Sequence, residues 1–181
     1  MIEALLKIAE TTVAESQLTE IAKNMPEKIT NSSELDKPIA KYVDEKKEYK
    51  TVDEALENAS QEEKDIYNKA NLEKGEVNGR ESLQRTDLDY NEKDSFGRTN
   101  LERMKEGLAP LKDGQPIELH HIGQEMDSPL AELTSKEHRG PGNDGVLHDK
   151  KKDSEIDRNE FNKERESYWK ARAEQIEDRG N

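Results

Sequence analysis

The chain has no cysteine among its 181 residues. Disulfides, thiolate catalysis and cysteine-ligated zinc are therefore excluded. Aromatic residues are scarce, with one tryptophan and two phenylalanines, and all three lie beyond residue 95. Hydrophobic residues reach only 30% against 39% charged ones. Any core is small, and the aromatics place it in the second half. No run approaches the roughly 18–20 apolar residues of a membrane span, and residues 1–16 lack an apolar stretch of signal-peptide length. Export, if it occurs, must be directed by a segment outside this sequence, so the chain is expected to be a piece of a larger protein.

Positive charge is also short. The formal net charge is −13, which argues against broad nonspecific attachment to nucleic acid, because phosphate contacts need Lys and Arg. The deficit is uneven: residues 1–95 carry −9 and residues 96–181 carry −4. A local basic surface in the second half is compatible with that balance.

Apolar residues recur at helical spacing over 2–24, and a second helix is expected from 36 to 47. Thr51 with Glu54 and Ser60 with Glu63 match the Ser/Thr-x-x-Glu capping box, predicting helices from about 52 and 61. Residues 73–99 have glycine, asparagine and charge without a period, and read as a linker. The expected organisation is thus an acidic helical region over 1–80, serving as a delivery segment or a spacer, and a second domain over 81–181. Beyond it, 100–105 reads as a short helix. Asp113-Gly114 between two apolar runs predicts a hairpin. Residues 128–139 read as a helix opened by Ser128-Pro129, 140–145 as a turn and 145–148 as a short strand. A final helix opens at Ser154 or Asp157, with Phe161, Tyr168, Trp169 and Ile176 on its apolar side.

All four histidines lie between positions 120 and 148, two of them adjacent, His120 and His121, at the end of a strand-like run. Imidazole titrates near neutrality and is the commonest metal ligand. With Asn143 and His148 the pair supplies the parts of a one-metal phosphodiesterase: a base to activate water and donors to hold a cation. On spacing alone a chance grouping of surface or core histidines stays equally open. Neighbouring residues of a regular strand point to opposite faces, so both histidines reach one site only if the strand ends there, which Gly123 permits. His138, inside an expected helix, reads as structural or substrate-facing rather than as a ligand. Arg158, Arg165, Arg172 and Arg179 recur every seven residues and form either a solvated face or a row that tracks phosphates. Arg158 is the member expected nearest the site.

The run TNLERMKEGLAPLKDGQPIELHHIGQ (99–124), followed by DSPLAELTSKEHRGPGN, GVLHDKK, SEIDR and ESYWKARA, resembles the LHH-type nucleases of the HNH/endonuclease VII superfamily, named for a tripeptide found here as Leu119-His120-His121. The likeness spans about residues 84–173. It implies an α+β fold, mostly helical, with a small ββα-metal core of short hairpin strands, a metal site and a long C-terminal helix. It implies that His121 is the general base, that His120 and His148 bind a divalent cation, Zn²⁺ or Mg²⁺, and that Asn143 orients the loop or the base. Such domains form the toxic tips of bacterial polymorphic and contact-dependent inhibition toxins. The expected function is a metal-dependent endonuclease, with DNA favoured over RNA, exported within a larger protein into the cytoplasm of target bacteria and neutralised by a cognate immunity protein. The alternative from another class is an acidic helical binding module with a structural zinc.

Overall fold

The computed structural model describes residues 48–151 and 156–180. The helices expected over 2–24 and 36–47 lie outside the described residues. Four helices begin at hydroxyl caps: α1 (Val52–Asn58) at Thr51, α2 (Gln61–Lys69) at Ser60, α3 (Asn100–Lys105) at Thr99 and α4 (Ser135–Arg139) at Thr134. Helices this short do not hold by propensity alone, so each cap contributes about 1 kcal/mol where it is most needed. In three of them the capping box closes, with Glu54, Glu102 and Glu137 returning to the cap N–H. At Ser60 only half the box forms: the serine accepts from Glu63 N–H, but the Glu63 side chain turns into the protein instead. Among the described residues the remaining α-helices are α5 (Asn143–Leu147) and α6 (Arg158–Gly180). Asp157 starts α6 by accepting the N–H groups of Asn159 and Glu160.

The segment read as a linker carries two strands, β1 (Leu72–Val77) and β2 (Arg80–Arg85), paired antiparallel. Asn78 and Gly79, both at positive φ (55° and 73°), make the two-residue turn that such hairpins favour. The Asn-Gly pair was the available signal; charged residues in LEKGEV and RESLQR hid the strands. The Asp113-Gly114 hairpin forms as expected, joining β3 (Leu111–Lys112) to β4 (Gln115–Pro116). Two expectations are corrected. Residues 128–139 are not one helix: β6 (Leu130–Leu133) precedes α4, and its four residues are all buried. A short apolar run covered on both faces has no period that separates strand from helix. Residues 145–147 belong to α5, with His148 as its C-cap, and are not a strand.

β1, β2, β6 and β5 (Glu118–His121) form a mixed sheet in that order, with β2 parallel to β6 and the other pairs antiparallel, while β3 and β4 pair apart from it. On one face Val52, Ala55, Ile66, Tyr67 and Leu147 of α1, α2 and α5 pack with Leu83, Ala131 and Leu133. On the other, Met104 of α3 and Tyr168, Trp169 and Ala173 of α6 pack with Val77, Leu119 and Leu130. Phe161 and Ile176 join the second cluster, as the apolar side of α6 predicted. The fold is α+β with a long C-terminal helix.

The seven-residue arginine row is not a common surface. Arg172 is 2% exposed and directs Nε at Glu132 Oε1, 3.2 Å away. Glu132, fully buried on β6, also accepts Tyr168 OH at 2.8 Å and Arg85 N–H at 2.8 Å. Burial pushes the Glu132 carboxyl up, while the Arg172 charge and these hydrogen bonds pull it back. Breaking one side of a buried ion pair leaves the other charge uncompensated. Arg172→Leu is expected to lower the unfolding free energy by about 3–5 kcal/mol, with much of the loss restored by adding Glu132→Leu. Urea denaturation of the two variants measures both effects.

Candidate metal centre and nuclease site

Three imidazoles converge on the α1–α2 side of the sheet. His120 comes from β5, the outer strand, His138 from α4, and His148 from the end of α5. His138 Nε2 lies 3.2 Å from His120 Nδ1 and 3.2 Å from His148 Nε2. The three ligand atoms all fall within 4.8 Å of one another. Tetrahedral zinc with Zn–N bonds of 2.0–2.1 Å sets its nitrogens about 3.3 Å apart. Two edges of the triad match that spacing, and the third, within 4.8 Å, lets the rings close on one cation after a small shift.

The partners on the far side of each ring decide which nitrogens carry lone pairs. His138 Nδ1 is 2.5 Å from Glu118 Oε2, and His148 Nδ1 is 3.1 Å from Asp144 Oδ1. A carboxylate takes the N–H of the nitrogen it faces and leaves the other nitrogen bare, as in carboxylate–histidine–metal arrangements. Two bare Nε2 atoms then face each other at 3.2 Å, a repulsive contact unless a cation lies between them. The charge state suits that role. Burial, reinforced by the neighbouring imidazoles, holds His120 well below the usual histidine range. Burial also lowers His138, against the pull of Glu118. Neutral rings are the metal-binding form.

His138 thus joins the group from which the sequence reading left it out. Its distance from His148, ten residues, matches no local ligand pattern, and only the turn through Gly140, Pro141 and Gly142 brings the two together. Thr134 and Arg85 hold its helix: Glu137 Oε2 accepts Thr134 N–H at 2.7 Å and Arg85 Nη1 at 2.6 Å. Asn143 latches the following turn, donating to Glu137 O at 2.8 Å and Lys136 O at 3.4 Å. It touches the helix that carries His138.

His121 faces the other side of the sheet: β5 stays regular through His121, so the strand does not bring the two histidines to one side, as a shared site required. Its ring lies 4.6 Å from that of Phe161, and its Nε2 is 3.1 Å from Glu164 Oε2, without hydrogen-bond alignment. The other oxygen of Glu164 pairs with Arg80. Arg80 in turn donates to the carbonyls of Met126 and Ser128 in the β5–β6 loop, and its guanidinium stacks 4.4 Å from the Tyr49 ring. A cleft of about 280 Å³ opens beside this chain of contacts, lined by Tyr49, Asn78, Arg80, Met126 and Glu164 among others. Neither Arg80 nor Glu164 stood out in the sequence, since neither sits in a motif or a periodic row. Arg158 is exposed at the start of α6, one turn before Phe161. Lys150 pairs with Asp144 Oδ2 at 2.7 Å, on the carboxylate that faces His148.

Two antiparallel strands followed by helices, with histidines on strand and helices meeting at one point, make a ββα-metal unit of β5, β6 and the α4–α5 pair. The long helix α6 closes the opposite face. Residues 99–175 match the family described as a nuclease of the HNH/ENDO VII superfamily with conserved LHH. That stretch is an LHH-type nuclease domain, with Leu119-His120-His121 as its tripeptide, and so a phosphodiester-hydrolysing enzyme whose substrate is nucleic acid. No solved structure matches the chain. Among the described residues no helix is long and apolar enough to cross a membrane.

Two outcomes follow from the triad. The folded pKa values of His120 and His138 lie below the ordinary 6.5, so below that pH the unfolded chain binds protons the fold refuses. Stability from these groups is complete above 6.5 and is lost as pH falls through the folded values. The melting temperature of metal-free protein is therefore expected to drop between about pH 7 and pH 5, a window separate from carboxylate titration, in scanning fluorimetry. Second, titration calorimetry of His138→Ala with Zn²⁺ is expected to show a loss beyond the roughly 10–100-fold typical of an outer-shell change. Unchanged affinity would remove His138 from the ligand set.

Proposed function

We propose that this chain is a metal-dependent endonuclease acting on DNA, and that it forms the C-terminal toxin portion of a larger bacterial protein delivered into the cytoplasm of target cells. The observation that carries the metal dependence is the convergence of three imidazoles, with His138 Nε2 3.2 Å from both His148 Nε2 and His120 Nδ1. Three imidazole donors favour Zn²⁺ or another transition ion over Mg²⁺, which prefers oxygen ligands. A divalent cation there supplies Lewis-acid stabilisation of the charge that develops on the phosphodiester.

The residues around it divide the remaining work. His121 takes the proton of the attacking water, and Glu164, 3.1 Å from Nε2, stabilises the imidazolium that results. Asn143 ties the turn after α4 to the helix that presents His138. Arg158, exposed at the start of α6, contacts a phosphate of the bound strand. The toxin role, the cognate immunity protein and delivery into target cells rest on the likeness of residues 84–173 to toxin tips, and a cysteine-free chain is compatible with passage through an oxidising compartment.

The test is cleavage of plasmid DNA and of structured RNA, each with Zn²⁺, Mn²⁺ or Mg²⁺ and with chelator. DNA nicking that chelator abolishes and added metal restores is expected. His121→Ala is expected to lose at least about 100-fold in rate while its zinc affinity stays intact. Cleavage of RNA alone would make the enzyme a ribonuclease. If chelation unfolds the protein and His121→Ala changes no nuclease activity, the structural-zinc reading replaces this one.

A further inference from the structure

Glu63 is 6% exposed on α2, an uncommon place for a carboxylate. It is also the one glutamate of the four Ser/Thr-x-x-Glu starts that does not close its capping box. Its side chain turns inward, where Oε1 accepts Tyr67 OH at 2.7 Å and the Gly123 N–H at 3.0 Å. Forgoing a cap bond and burying a charge both cost free energy, so the placement needs a counterpart inside. Oε1 lies 4.0 Å from His120 Nε2, a buried ring nitrogen with no hydrogen-bond partner. The other nitrogen of that ring, Nδ1, points into the triad.

We infer that Glu63 is a positioning residue for the metal-facing form of His120. A cation held at Nδ1 requires the proton on Nε2, and the Glu63 carboxylate is the acceptor within reach of a small ring shift. His138 has Glu118 in this role and His148 has Asp144; Glu63 completes the set, one carboxylate behind each imidazole. Through the Gly123 N–H the same oxygen also holds the left-handed turn (φ 68°) that follows the His120-His121 pair. The working nuclease then includes α2, upstream of the family match that begins at residue 99. This inference rests on the metal-binding reading above.

The experiment uses the full chain with zinc as the probe. Glu63→Gln keeps an acceptor for Tyr67 and Gly123 but removes the charge. Zinc affinity, measured by competition with a chromogenic chelator, is expected to weaken about 10–100-fold, with the melting temperature of the metal-free protein unchanged. In zinc-loaded wild-type protein, the imidazole ¹H–¹⁵N spectrum is expected to show His120 bound through Nδ1, with its Nε2 proton protected from exchange. This measurement decides the question by itself if the variant fails to fold. Wild-type affinity in Glu63→Gln, or His120 bound through Nε2, overturns the role of Glu63 and leaves the metal site standing. Wild-type protein that binds no zinc overturns the metal-binding reading itself, and this inference with it.

Discussion

Side chains alternate along an extended strand, and β5 turns that rule into a division of labour. Leu119 enters the core beneath α6, His120 turns to the α1–α2 side, and His121 returns to the α6 side. One histidine is thereby committed to the imidazole triad and its neighbour to Glu164 and Phe161. The two never compete for one position. The rest of the structure serves these two addresses: α4 and α5 bring His138 and His148 to the first, and α6 brings Glu164 to the second. Because the register of β5 on β6 sets both, a one-residue slip would exchange their surroundings.

A chain with so little apolar surface holds that register with buried charge as well as with its two hydrophobic clusters. Arg172 and Glu132 tie α6 to β6, Arg80 ties Glu164 to the β5–β6 loop, and Arg85 joins β2 to Glu137 of α4. Each is a poor source of net stability, because desolvation offsets much of the attraction. Their geometry is directional, however, and each links an element that carries a site residue to the sheet. The triad is the opposite case: burial lowers the affinity of His120 and His138 for a proton, and carboxylates stand behind the rings. Polar groups thus do positional work that a larger apolar core would do elsewhere.

The elements that could be read from the chain were those with local chemistry. Hydroxyl caps marked the starts of α1 and α2, Asp113-Gly114 marked its hairpin, and the spacing of Phe161, Tyr168, Trp169 and Ile176 marked the buried side of α6. Strand β6 escaped because LAEL is covered on both faces and has no period. Strands β1 and β2 escaped because half of their residues are charged and no clean alternation shows. The arginine row shows the limit of spacing. Seven-residue intervals put Arg158 and Arg172 at similar angles on one helix, yet only Arg172 meets a buried carboxylate, Glu132, on the strand beneath.

The sequence by itself determined the class of chemistry. An adjacent histidine pair at a strand end, flanked by the motifs of the LHH nucleases, is local information that survives without coordinates. Tertiary structure alone decided which groups act together. His138 stands with His120 and His148 because a turn of a few residues reverses the chain between α4 and α5. Glu63 lies behind His120 because α2 packs across the sheet from a point 57 residues away. Separations of this kind leave no periodic trace, since the sheet and its packed helices, and not the spacing along the chain, set the distances between those atoms.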